Sequence, residues 1–190
     1  MPRLPDLAYD RLSTAQRKVH DAIAAGPRGT VEGPLKVWLH SPELADRAQQ
    51  LGAYCRYGTS LPKRLSELAI LMTGAFWKAG FEWYVHAPIG IEAGLDRNAV
   101  EAIRMGMKPA FARNDEAVVY DFVRELLEQR RVSDAVYRRA VDELGNLGVV
   151  DLVGILGYYG LISMTIVAFM LPVPDGIPEP FADRPNKGAE

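Results

Sequence analysis

One cysteine, Cys55, stands in 190 residues. A single thiol excludes an internal disulfide, a CxxC redox couple and a cysteine-rich zinc site. A basic surplus is missing too: 22 Lys and Arg face 24 Asp and Glu, for a formal net charge of -2. That balance does not point to nucleic acid. Strand signals are nearly absent, since no Asn-Gly or Asp-Gly hairpin lies between alternating apolar runs. HExxH spacing is absent, and His20 and His40 lie in helical regions apart from His86, so no zinc site is expected. The opening MPRLPDLAYD lacks the apolar core of a signal peptide. A cytoplasmic location is the expectation.

What is present is helical pattern. The chain is 48% hydrophobic and 24% charged, ordinary for a soluble protein with one sizeable core. Ser13 with Gln16 forms a capping-box pattern before QRKVHDAIAA. Ser41-Pro42 opens a second helix that ends at Gly58, and Ser60 can cap a third, running to about Lys78. A fourth helix ends at Gly94, and Asp96, Asn114 and Ser133 stand as caps of the next three. Last comes LGVVDLVGILGYYGLISMTIVAFMLP, Leu147 to Pro172, long enough to span a bilayer. Asp151 lies inside it, glycines thin it and no Lys or Arg flanks it closely, so a core or subunit-interface helix is expected. The tail after Leu171 has five prolines and reads as an irregular strap or a partly disordered arm. The pattern predicts an all-α domain of about eight helices with a faint internal helical repeat.

The candidate chemistry lies in FEWYVHAPIGIEAGLD, Phe81 to Asp96. Glu82 and His86 are four residues apart and share one helix face. A carboxylate beside an imidazole fixes its tautomer and raises its basicity, which suits proton transfer near neutral pH. Glu67, one helix earlier, admits two readings. It is either a surface acid paired with Lys63, which composition favours, or an acid facing a pocket. Pro88 removes the N–H that would bond the carbonyl of Tyr84, so it either kinks this helix close to His86 or begins a new segment. Arg56 and Arg64 are each a candidate clamp for an acidic substrate. Cys55 reads as a small buried hydrophobe.

The run ELAILMTGAFWKAGFEWYVHAPIGIEAGLD resembles the carboxymuconolactone decarboxylase family, which also contains the AhpD-type alkylhydroperoxidases. The resemblance covers roughly residues 34–174, within one domain spanning 1–190 with an N-terminal helical extension. It implies an AhpD-like all-α fold, assembled as homotrimers or homohexamers. The peroxidase branch carries a CxxC whose positions fall here on Ala79 and Glu82, so its dithiol cycle is not expected. The decarboxylase branch has a Glu four residues before the His and uses no metal or organic cofactor. The resemblance therefore implies a lyase of aromatic-compound catabolism acting on a small carboxylated lactone or aromatic-derived compound. Glu67, Glu82 and His86 would be catalytic, and Arg56, Arg64, Trp83 and Tyr84 would bind substrate. A hydroperoxide-reducing antioxidant protein and a non-catalytic oligomeric binding protein remain as alternatives.

Overall fold

The computed structural model describes residues 2–184. Eight α-helices carry it: α1 (Thr14–Ala25), α2 (Pro34–Trp38), α3 (Pro42–Tyr57), α4 (Lys63–Trp77), α5 (Gly80–Glu92), α6 (Arg97–Arg104), α7 (Asn114–Arg124) and α8 (Asp134–Phe169). No strand occurs among the described residues. The centre is α4, buried continuously from Arg64 to Ala75. A helix apolar all round must be covered on every side. Here α8, α5, α7 and α6 cover it.

Local signals set many boundaries. Ser13 and Gln16 close a reciprocal capping box on α1. Asp96 accepts from the amides of Asn98 and Ala99, and Ser133 caps α8. Pro88 lies inside α5, which runs through it. Gly145 has φ +69° inside α8, the left-handed region that favours glycine, and separates a polar first part from the apolar remainder. At Arg124, α7 passes into a single wide π turn, Glu125–Gln129.

Two expected caps do other work. The cap of α4 is Pro62, and Ser60 instead donates its amide and hydroxyl to Asp151, both at 2.7 Å. Tyr54 donates to the same carboxylate at 2.6 Å. Thus Asp151, the acid inside the apolar run, anchors α8 to α3 and to the loop before α4. Asn114 sits within the first turn of α7, with Arg113 as cap, and donates to Glu143. In both cases a distant partner outweighs the local capping bond.

Among the described residues, α8 is the one helix long and apolar enough to cross a membrane, and half of its apolar window is buried in this chain. Its other side exposes Leu147, Val150, Val153, Met164 and Val167. The strap after α8 folds back, burying Phe181 against Trp83 with ring centroids 5.4 Å apart. The remainder of the expected arm, residues 185–190, lies outside the described residues.

Candidate functional site

Glu82, His86 and Gly90 follow one another at four-residue spacing along α5, and all are buried. That face turns toward α4. A β-carbon on Gly90 would meet Leu95, Leu71 and Glu67 at 3.0–3.5 Å, so the absent side chain helps the two helices approach. The approach brings Glu67 to His86. The carboxylate Oε2 of Glu67 lies 2.7 Å from Nδ1 of His86, and Oε1 of Glu82 lies 3.0 Å from Nε2. The His86 and Glu67 side chains are each 3% exposed, and that of Glu82 is 6% exposed. The Tyr159 ring packs against the imidazole in a T-shaped contact, centroids 5.2 Å apart. Glu67 is therefore a buried partner of His86 rather than a surface acid paired with Lys63.

The electrostatics of this trio are lopsided. Burial disfavours charge on His86, but the charge of Glu82 and the hydrogen bond to Glu67 outweigh it and raise its pKa to about 9. At neutral pH the ring is held as an imidazolium, with both nitrogens protonated. Oε1 of Glu82 is close to Nε2 but off the line of a hydrogen bond, and it has no hydrogen-bond partner among the described residues. A buried carboxylate oxygen without a hydrogen-bond partner is costly unless something else completes it.

Glu82 and His86 line a cavity of about 190 Å³, which Arg28, Arg56, Tyr158 and Tyr159 also line. Phe81, Leu35 and Ile162 form part of its apolar wall, and the exposed Glu32 is at its rim. Arg28 comes from the Gly- and Pro-rich loop after α1 and donates to the Tyr158 hydroxyl at 3.1 Å. Its Nε is buried without a partner. The site depends on Gly52 of α3: a β-carbon there would lie 2.1 Å from the Tyr158 hydroxyl and 2.5 Å from the Arg28 guanidinium. Arg56 lies over the Tyr57 ring at 5.4 Å. No carboxylate forms an ion pair with either arginine among the described residues.

The structure thus brings together Glu67, Glu82, His86 and Arg56. It places Arg64 and Trp83 elsewhere and Tyr84 in a groove beside the cavity. Arg64 points to α7, where its guanidinium donates to Glu116 and, at 2.6 Å, to Asp115. Trp83 is buried under the strap, and Tyr84 lines a groove with Lys36 and Pro174 that adjoins the cavity through Glu32, Phe81 and Val85. Sequence reasoning missed Arg28. Its only local signal is a charge among Gly and Pro, and its partner Tyr158 is 130 residues away. Cys55 is 1% exposed, and burial with the nearby Asp151 pushes its thiol up to about 11.

No family model and no curated protein matches the sequence. Solved structures do match in shape. A protein of unknown function from Agrobacterium tumefaciens, described as a candidate antioxidant defence protein AhpD, superposes with a TM-score of 0.65 at 13% identity, covering 75% of this chain and 99% of its own. An uncharacterized peroxidase-related protein from Silicibacter superposes with a TM-score of 0.71 at 15% identity, covering 92% of this chain and 94% of its own. The chain has an AhpD-like all-helical fold.

Proposed function

We propose that the chain is an acid–base enzyme that decarboxylates a small cyclic carboxylic acid, in the manner of a carboxymuconolactone decarboxylase. The observation that carries this reading is the buried Glu67–His86–Glu82 trio opening into a cavity with two arginines that lack carboxylate partners. A 190 Å³ space suits one ring with a few substituents, since a 150 Å³ apolar cavity holds benzene. Arg28 and Arg56 supply the charge that a carboxylate needs, and a bidentate guanidinium pair would orient it.

The reaction asks little else of the protein. The bond from the carboxylate carbon to the ring breaks, CO2 leaves, and the electron pair stays on the substrate as a dienolate. A proton from the His86 side, passed directly or through Glu82, ends on the electron-rich carbon. Solvent restores it. Burial keeps competing water away and strengthens each interaction with the developing charge. In this reading no metal or organic cofactor takes part.

The neighbours' names point instead to peroxide chemistry. A thiol route in this chain would start from Cys55, which is buried and whose raised pKa keeps it protonated, the opposite of a reactive cysteine. The test is a screen of the full chain against cyclic carboxylic acids and lactones, read as CO2 release, with cumene hydroperoxide and dithiothreitol run beside it. CO2 release from an acid, absent for its methyl ester, is expected. Peroxide turnover without any CO2 release would replace this reading with the antioxidant one.

The exposed apolar side of α8 also belongs to this reading. We propose that a second copy covers it, in a cytoplasmic homotrimer or homohexamer, because Gly154, Gly157 and Gly160 have open space there and permit close helix approach. Light scattering is expected to give three or six times the chain mass. A monomer at all concentrations contradicts the assembly.

A further inference from the structure

A second cavity, about 390 Å³, lies between α4, α6, α7 with its π turn, and the C-terminal strap. It shares no lining residue with the first. Its volume falls within the roughly 300–1,000 Å³ of small-molecule sites. Met72, Phe76, Ile103, Met107 and Leu127 form an apolar wall on one part of a lining that also holds Arg124, Glu128 and Arg184. Phe76 and Met107 are 46% and 57% exposed, so this apolar wall is open to solvent.

Two guanidiniums face that wall, one from α7 and one from the strap. Nε of Arg124 is buried with no hydrogen-bond partner, beside the Tyr120 ring. Arg184 donates to the Ala75 carbonyl at 2.5 Å and lies over the Phe181 ring. Gly106 makes room for it, since a β-carbon there would lie 2.7 Å from the guanidinium. Burial lowers the pKa of Arg184, the direction expected of a cation without compensating charge. Apart from Arg28 and Arg56 in the first cavity, the arginines most engaged with other elements have their acids. Arg64 holds Asp115 and Glu116, while Arg104 holds Glu101 and Asp183. Among the described residues no carboxylate forms an ion pair with Arg124 or Arg184. Glu128, also on the wall, is exposed and outside ion-pair distance of both.

We infer that this cavity is a separate binding site for an apolar monocarboxylate, whose body lies on Met72, Phe76 and Met107 and whose carboxylate completes Arg124 and Arg184. The π turn fits such a role, because it widens α7 where the ligand would enter, and such bulges gather at functional sites. The inference does not rest on the reaction proposed for the first cavity.

Calorimetric titration of the full chain with octanoate and with octan-1-ol tests it. One equivalent of octanoate is expected to bind saturably, at least tenfold tighter than the alcohol. Arg124→Gln and Arg184→Gln are each expected to weaken octanoate at least tenfold, the scale of a lost charged hydrogen bond. Met107→Asp, at a position 57% exposed, is expected to do the same by repulsion. Lys18→Gln, at an exposed position of α1 that lines neither cavity, is expected to change nothing. Absence of saturable binding overturns the site. So does equal affinity for the alcohol, unchanged binding in folded Arg124→Gln and in Met107→Asp, or loss of binding in Lys18→Gln.

Discussion

His86→Ala is expected to lower kcat on the carboxylic acid identified by the screen by about 10²- to 10⁴-fold, the range for a lost general acid or base. No other group can take its place at once. The ring is the link between two buried carboxylates, 2.7 Å from one and 3.0 Å from the other. Without it, Glu67 and Glu82 face each other with no cation between them. Neither carboxylate has the positive charge or the reach of the imidazolium. The His86 side chain is 3% exposed, so its loss also costs stability, and circular dichroism accompanies the kinetics. Glu82→Gln, which keeps the shape, is the companion variant. Full activity in folded His86→Ala would remove the residue from the chemistry.

Arg64→Ala is expected to destabilise the protein by about 3–5 kcal/mol, the usual cost of leaving a buried charge unpaired. The Arg64 and Glu116 side chains are 10% and 6% exposed, and that of Asp115 is 23% exposed, so solvent screens this cluster little. Both acids stand in the first turn of α7, where the helix dipole favours negative charge and offsets part of the loss. The guanidinium also ties α4 to α7, so its loss loosens the central helix as well. For a chain of this size that free energy corresponds to a fall in Tm of roughly 6–20 °C. Thermal melting monitored by circular dichroism measures it. A change within about 0.5 kcal/mol, the scale of an ordinary surface substitution, would mean that the cluster is solvated.

What could be read from the sequence was what is local. The caps at Ser13, Asp96 and Ser133 bond within three residues of themselves, and the Glu82–His86 pairing follows from one turn of helix. Ser60 and Asn114 look like caps by the same rules, yet each is drawn to an acid 91 or 29 residues away. Glu67 carries no local sign of its role. Lys63 offers a plausible surface partner, and only the packing of α5 on α4 reveals the histidine. Arg64 and Arg28 illustrate the same limit from opposite sides. One resembles a substrate clamp but is held by Asp115 and Glu116, while the other resembles a loop charge but lines the cavity. Trp83 is next to Glu82 in the chain, but helical geometry turns it about 100° away, under the strap.

The central claim is that His86 is held as an imidazolium between two carboxylates. Such a group, its folded pKa raised above its unfolded value near 6.5, adds stability that is fully present below pH 6.5 and lost as pH rises through about 9. The direct measurement is an NMR titration of the His86 ring in the wild type and in Glu82→Gln. The account predicts a wild-type midpoint near 9. It predicts a lower midpoint in Glu82→Gln, because the largest favourable charge is removed while burial remains. A wild-type midpoint at or below 6.5 that does not move in Glu82→Gln would contradict it.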